Sequence, residues 1–153
     1  MKPLDGIRVV DMSTMLAGPM TGRILAEWGA DVIKVETMNG DAWRKQAGTT
    51  MSPCTKDANP NFDMQNLNKR FVALNMRTPE GHEAILKLIA QADVLVTNYR
   101  VQALEGMGLS YEQLKDKFPR LIHASVLGYG SEGPDKDRPG YDYTAFSSRS
   151  GLM

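Results

Sequence analysis

Five short apolar segments constrain the fold of this chain more than any other feature of its sequence. Their residues are Ile7–Asp11, Asp31–Glu36, Phe71–Met76, Asp93–Asn98 and Arg120–Gly128. Apolar residues run almost continuously in them, as in Val94-Leu95-Val96, instead of alternating with polar residues. Strands of this kind are buried on both faces, which is typical of a parallel sheet between two layers of helices. The segments therefore predict a doubly wound, mostly parallel α/β sheet.

Helical signals separate these strands. Pro19 falls in the first turn of a helix that Gly29 is placed to end in a left-handed conformation. Met20, Ile24 and Trp28 recur four residues apart and form one apolar stripe on that helix. The first predicted unit is thus strand–helix–strand, with short connections.

Capping signals mark two later helices. Thr78 as N-cap, with Pro79 at the first helical position, predicts the start of one of them. Ser110 and Gln113, three residues apart, have the pattern of a capping box and predict another. We expect a further short helix to begin at Val101.

The segment Thr37–Asn68 interrupts this regular pattern. It is polar, with Gly, Pro and Asn scattered through it, and contains one predicted short helix around Asp41–Lys45. Loops longer than about 12–15 residues in a compact domain are usually functional or mobile.

Cys54 is the one cysteine of the chain, so an intrachain disulfide is excluded. Because no histidine lies near it in the sequence, we interpret Cys54 as an incidental thiol.

Charge and hydropathy exclude several classes of function. Lys and Arg number 18, as do Asp and Glu, so the net charge is zero and no broad nucleic-acid or membrane surface is predicted. No stretch approaches the roughly 18 apolar residues of a membrane helix, and no signal peptide is recognisable. With a single cysteine, these features predict a cytoplasmic protein. His82 and His123 are solitary, so no metal site is predicted.

Ligands of doubly wound sheets bind beyond the carboxyl ends of the strands, so the segments that follow the strands form one candidate rim. These segments are Asp11–Gly18, Glu36–Arg44, Asn75–Arg77, Asn98–Arg100 and Gly128–Gly130. Asn98, Tyr99 and Arg100 suit a nucleotide base or a carboxylate, although a turn with a helix cap is equally consistent. Gly18 and Gly22 do not form the dinucleotide fingerprint, and close packing explains them better than an anion site.

A basic cluster flanks the third strand. Lys69 and Arg70 precede that strand and Arg77 follows it, so the three side chains cannot all serve one small ligand. A solvated basic rim is the simpler interpretation, and an elongated ligand with several phosphates is the alternative.

Further along the chain, Tyr141 and Asp142 stand next to each other. They are either a phenol and a carboxylate that orient a reacting carbonyl, or part of a solvent-exposed loop.

In their order along the chain, these segments resemble the class III coenzyme A (CoA) transferases, the formyl-CoA and carnitine-CoA transferase superfamily. The resemblance covers essentially the whole chain and rests on PLDGIRVVDMSTMLAGPMTGRILAEWGADVIKVE, GDAWR, NLNKRFVALNMRTPEG, ADVLVTNYR, GLSYEQL, ASVLGYGSEGP and DRPGYD. It implies a Rossmann-like large domain that passes CoA from an acyl-CoA donor to a free carboxylic acid. The implied chemistry is covalent catalysis by an aspartate, with coenzyme A as substrate, no metal, and an interlocked homodimer.

The resemblance also implies roles for particular residues. The implied CoA contacts are Met15, Leu16, Leu74, Arg77, Asn98, Tyr99 and Arg100. Tyr141 and Asp142 would support the reacting centre. Leu16, Thr37 and Gly106 stand where some relatives have a glutamine, a basic residue and an arginine. These departures leave the acceptor open among carnitine, 2-hydroxy acids, bile acids and aromatic acids.

The family's nucleophilic aspartate follows the Gly-Tyr-Asp region, beyond Met153. Residues 1–153 are therefore expected to be the N-terminal part of the CoA-binding large domain, without the smaller second domain and the C-terminal return. On this expectation the isolated chain is an inactive fragment. Two alternatives stay open. One is an enzyme like the α-methylacyl-CoA racemases, which have a histidine at the position of Tyr141; the other is a non-catalytic, truncated CoA-binding remnant.

Overall fold

The computed structural model describes residues 1–45, 54–55 and 58–152 of the chain. Its strands are β1 (Arg8–Asp11), β2 (Asp31–Glu36), β3 (Arg70–Ala73), β4 (Val94–Thr97) and β5 (Ile122–Ser125). They form one parallel sheet in the order β3-β2-β1-β4-β5. The predicted doubly wound sheet is confirmed. From β1 the chain adds β2 and β3 on one side of the sheet, and then β4 and β5 on the other side.

Helices connect the strands. They are α1 (Ala17–Glu27), α2 (Pro60–Asn66), α3 (Pro79–Ile89), α4 (Val101–Gly106), α5 (Tyr111–Leu114) and α6 (Ser148–Ser150). A 3-10 turn spans Ala42–Lys45, as the sequence predicts, and a π-type turn spans Asp142–Ser147. Among the described residues, no helix is long and apolar enough to cross a membrane.

The core lies on both faces of the sheet. Val9, Val32 and Val96 pack on one side with Ala26 of α1. A larger cluster on the other side contains strand residues and residues of α3, α4 and α5: Val10, Val35, Ile85, Ile89, Leu95, Leu104 and Leu114. Successive strand residues point to opposite faces, so a continuous apolar run fills both layers.

Helix α1 packs on the sheet through small residues. Gly18, Gly22 and Ala26 are buried, whereas Ile24 is 41% and Trp28 55% exposed. The apolar stripe predicted from the sequence therefore lies mostly on the outer face of the helix. A Cβ on Gly22 would stand 2.6 Å from Asp11 Oδ2, so only glycine permits this approach. Gly29 ends the helix with φ 108°, as predicted.

The capping predictions for α3 and α5 are confirmed. The Thr78 hydroxyl accepts a hydrogen bond from Gly81 N at 3.2 Å, and Pro79 is the first residue of α3. The Ser110 backbone N–H donates to Gln113 Oε1 at 3.2 Å, which closes the capping box of α5. Because α3 starts shortly after β3, its first turn lies beside the carboxyl ends of the strands.

Candidate functional site

A cavity of about 970 Å³ opens at the carboxyl ends of the strands. It is lined by the segments that follow β2 and β3 and by residues of the β4–α4 region. The lining includes Leu74, Arg77 and Tyr99, three of the residues that the resemblance assigns to CoA. The structure thus brings these three together at the rim where the sheet topology predicts a ligand site.

The walls of the cavity combine apolar and cationic groups. Leu74, Met76 and Met107 supply apolar surface, and Arg77 supplies a cationic side chain. Among the described residues that line the cavity, none is acidic. A ligand with both an apolar part and an anionic part therefore meets favourable partners here and no carboxylate.

Tyr99 also lines the cavity and is partly buried. Burial, and secondly the negative charge of Asp41, raises the pKa of the Tyr99 phenol above its ordinary value. The ring therefore stays neutral over the physiological pH range. It offers an aromatic face and a hydroxyl that is both donor and acceptor.

The β1–α1 loop, residues 12–16, carries the next two predicted contacts, Met15 and Leu16. Each backbone N–H from Met12 to Met15 donates a hydrogen bond. The acceptors are Val96 O at 2.8 Å, Asp11 Oδ1 at 2.9 Å, Asn98 Oδ1 at 2.9 Å and Asp41 Oδ1 at 3.2 Å. Met15 has φ 69°, a left-handed conformation that costs a non-glycine residue about 1 kcal/mol.

Asn98 holds this loop through both ends of its amide. Its Oδ1 accepts from Thr14 N at 2.9 Å, and its Nδ2 donates to Thr14 O at 2.7 Å. The resemblance implies a CoA contact for Asn98, whereas the hydrogen bonds of its amide show a role in fixing the loop. The contact with CoA stays a prediction.

A buried ion pair supports the same loop from the β2 side. Lys34 Nζ lies 3.0 Å from Asp41 Oδ2, and both side chains are 0% exposed. The lysine also donates to Ser13 O at 2.7 Å. Neither residue was singled out from the sequence, although a lysine inside the apolar strand DVIKVE is an unusual feature that could have indicated a buried partner.

The basic cluster around β3 separates into three environments. Lys69 is buried, and its Nζ donates to Asp11 Oδ2 at 2.8 Å and to Pro19 O at 2.7 Å. Burial lowers the pKa of Lys69 below its ordinary value, and the Asp11 carboxylate opposes that shift. Arg70 pairs with Asp31 at the amino ends of β3 and β2, away from the cavity. The solvated-rim interpretation is wrong for Lys69, and Arg77 is the member of the cluster that lines the cavity.

Arg100 and Tyr141 lie outside the described lining of the cavity. An Arg100 guanidinium N–H donates to Asp137 O at 3.1 Å, and Tyr141 is 60% exposed. The backbones of Gly128 and Gly140 touch, since a Cβ on Gly128 would stand 2.5 Å from Gly140 Cα. This contact holds Tyr141 near the end of β5. The side chain of Asp142 lies outside the described residues.

The two histidines occupy different settings. His82 lines the cavity, and its ring lies against Gly108, whose added Cβ would be 3.2 Å from Nε2. His123 Nε2 is 3.3 Å from Leu109 O. Within the described part of the chain, no group of three or more His, Cys, Asp or Glu residues could hold a metal ion.

Comparison with known proteins adds independent findings. The family model described as CoA-transferase family III matches residues 4–153. The (R)-2-hydroxy-4-methylpentanoate CoA-transferase of Clostridioides difficile is 49% identical over 149 residues, which cover 97% of this chain and 37% of that relative. For the cinnamoyl-CoA:phenyllactate CoA-transferase of Clostridium sporogenes, the identity is 42%, with 97% of this chain and 36% of the relative covered.

Solved structures agree with these sequence matches. A CaiB/BaiF family protein from Brucella suis superimposes with a TM-score of 0.88 at 38% identity, covering 99% of this chain and 40% of that chain. The chain spans little more than a third of the length of the curated relatives it matches.

Proposed function

Because this chain belongs to CoA-transferase family III, we propose that it binds acyl-CoA thioesters and takes part in moving CoA to a free carboxylic acid. The observation that carries the proposal is the cavity at the carboxyl ends of the strands, where Leu74, Arg77 and Tyr99 meet with no acidic lining residue among those described. CoA is elongated, apolar in part and rich in phosphate, which matches the mixed character of these walls.

Each part of CoA has a suitable partner in the cavity. The Arg77 guanidinium can form charge-assisted hydrogen bonds with phosphate oxygens, and we assign it to the adenosine end. The Tyr99 ring, with Leu74 and Met107, offers surface for the adenine and for the pantetheine arm. Met15 and Leu16 follow β1 on the same rim, and we place the thioester end of CoA on their side.

We propose the aspartyl mechanism that the family resemblance implies. A carboxylate oxygen attacks the carbonyl carbon of the donor thioester and forms a mixed anhydride, while the carbon–sulfur bond breaks and CoA leaves as the thiolate. The thiolate then attacks the aspartyl carbonyl, which forms an aspartyl-CoA thioester and releases the first acid. The acceptor carboxylate then attacks the aspartyl-CoA thioester, which forms a second mixed anhydride and frees the CoA thiolate again. The thiolate attacks the carbonyl carbon of the acceptor, which gives the new acyl-CoA and regenerates the aspartate. In this proposal Tyr141 and Asp142 lie beside the reacting centre and support it, as the family resemblance implies.

The reactive aspartate is proposed to belong to the part of the relatives' length that this chain does not span. In that arrangement residues 1–153 supply the N-terminal part of the CoA-binding large domain. A homodimer and a cytoplasmic location are part of the same proposal. The exposed apolar side chains of α1, such as Ile24 and Trp28, are consistent with further protein surface covering this helix.

For the acceptor we propose a 2-hydroxy carboxylic acid. The names of two relatives contain 2-hydroxy-4-methylpentanoate and phenyllactate, and both of these acids carry a hydroxyl group on the carbon beside the carboxylate. The chain is 49% and 42% identical to those relatives. Leu16, where some family members have a glutamine, is consistent with a substrate other than formate or oxalate.

Three measurements test the proposed function. Isothermal titration with CoA should give saturable binding to the 153-residue chain, and its absence would count against the cavity as the CoA site. Intact-mass analysis with acyl-CoA, on the protein extended over the length of its relatives, should trap an aspartyl adduct. Solvent deuterium entering a 2-methylacyl-CoA, without any transfer of CoA, would instead support a racemase.

A further inference from the structure

We propose that the buried Lys34–Asp41 pair is a positioning device that sets the shape of the β1–α1 loop for CoA. The inference rests on the proposed function, because it takes that loop as part of the CoA site. The pair itself lies beneath the loop and is fully buried, so neither residue is a candidate for direct contact with the substrate.

The two charged groups connect three segments of the chain. Asp41 Oδ1 accepts from Met15 N at 3.2 Å and from Trp43 N at 2.9 Å, while Oδ2 faces Lys34 Nζ at 3.0 Å. Lys34 Nζ donates in turn to Ser13 O at 2.7 Å. The loop after β1 is therefore tied to β2 and to the segment after β2 through hydrogen bonds with defined directions.

The loop needs such ties because its conformation is costly. Met15 has φ 69°, and a left-handed non-glycine residue persists only where its surroundings determine the backbone. The Asp41 carboxylate binds the N–H of this very residue, and Asn98 binds both backbone groups of the preceding Thr14. Loss of the Asp41 contact would let Met15 and Leu16 relax toward ordinary backbone angles.

Stability alone does not explain the pair. Burying two charges costs desolvation, and well-packed apolar residues of similar volume often serve the fold equally well or better. What the charged groups add here is an acceptor for Met15 N and a donor for Ser13 O. Their contribution is therefore expected in ligand affinity more than in the free energy of unfolding.

Two matched double variants separate these contributions. Lys34→Met with Asp41→Asn removes both charges but keeps an amide oxygen that can accept from Met15 N. Lys34→Met with Asp41→Leu removes the charges and the acceptor at similar volume. We expect the Asn variant to bind CoA within about threefold of the native protein and the Leu variant to bind about 10–100-fold more weakly, as for other residues that orient a site from behind.

One further measurement and two further variants make the test decisive. Hydrogen exchange at the Met15 amide should rise in the Leu variant and not in the Asn variant. Arg70→Ala breaks the exposed pair with Asp31 at the amino ends of the strands. This change should leave the dissociation constant for CoA unchanged. If the Leu variant does not fold, Lys34→Met with Asp41→Ser replaces it, since a short hydroxyl can serve Trp43 N but does not reach Met15.

The outcomes distinguish the inference from the proposed function. Native protein that does not bind CoA refutes the proposed function. Native protein that binds CoA, with a Leu or Ser variant of equal affinity, refutes the positioning role. Equal weakening in the Asn and Leu variants refutes the role given to the Asp41–Met15 hydrogen bond, because the features that both variants lose, the two charges and the Lys34–Ser13 hydrogen bond, would then control affinity.

Discussion

Arg77 is the residue on which the proposed CoA site most directly depends. It lines the cavity just before α3, and its guanidinium suits a phosphate. We expect Arg77→Ala to weaken CoA binding about tenfold or more, since a hydrogen bond to a charged group contributes about 1.5–3 kcal/mol. The KM for both CoA substrates should rise and that for the acid acceptor should not. Arg70→Ala, at the other end of β3, is the control. Equal affinity for CoA in the two variants would instead support the interpretation of Arg77 as a solvated surface residue.

Tyr99 gives a prediction about alkaline pH. Its folded pKa is raised, mainly by burial, so above about pH 10 the folded state keeps a proton that the unfolded state has lost. This phenol therefore makes stability fall as pH rises from its unfolded pKa toward its raised folded pKa. In urea titrations, Tyr99→Phe should lose less stability over that range than the native protein. Tyr111→Phe, at a residue 54% exposed, should follow the native curve; matching slopes for both variants would contradict the prediction.

Gly106 offers a gain of affinity at the scale of one residue. It lines the cavity, and a Cβ placed on it would have no atom within 4 Å. Gly106→Arg should therefore add a cation next to bound CoA and lower the dissociation constant several-fold. The measurement is titration calorimetry with Gly106→Ala as the uncharged control. Equal affinities in the two variants would indicate that the phosphates of CoA do not come near this face of α4.

Helix α3 depends on close approach of its first turn to the chain before it. A Cβ on Gly81 would stand 2.0 Å from the backbone oxygen of Asn75, which cannot move aside as a flexible side chain could. Gly81→Ala should therefore lower the free energy of unfolding by about 1–3 kcal/mol. Gly106→Ala, in open space on α4, should change it by less than about 1 kcal/mol. Urea unfolding checks both, and equal stabilities would contradict the close contact.

The sequence predicted elements well where a local pattern determines them. β2 has the predicted bounds, and Thr78 and Pro79 begin α3 as expected, because caps and apolar runs are visible within a few residues. The burial of α1 was less predictable. Its inner face is determined by the close contacts of Gly18 with Ser13 and of Gly22 with Asp11, which hydrophobic periodicity does not register. Helix α2, which Asn59 caps, has a strong start but no long apolar stripe, and it was missed.

At the scale of the whole molecule, the sheet edge has consequences for solution behaviour. β5 pairs only with β4 among the described strands, and Ile122 on it is 62% exposed. An open edge with apolar side chains favours pairing between chains. We expect the 153-residue chain to self-associate in light scattering, and Ile122→Lys to reduce this. Leu152→Lys, at a similarly exposed residue away from the edge, is the control and should not.

The location of the candidate site followed from topology, but its internal support did not. The rule that ligands bind at the carboxyl ends of strands led to the segments that line the cavity. The Lys69–Asp11 pair was not predictable, because the two residues lie 58 positions apart and meet only once the sheet has formed. A pattern of residue types carries no record of such pairing. For the same reason the sequence placed Lys69 in solvent instead of in the interior.

The contact between Gly128 and Gly140 closes the intervening segment at its base. The touching backbones of Gly128 and Gly140 hold the two ends of the segment 129–139 close together. Further contacts join the segment to the rest of the chain, since Asp137 O accepts a hydrogen bond from Arg100 and Asp135 pairs with Arg149. The exposed residues 131–134 lie between these contacts and are therefore a convenient place for attaching a fluorophore or affinity tag near Tyr141.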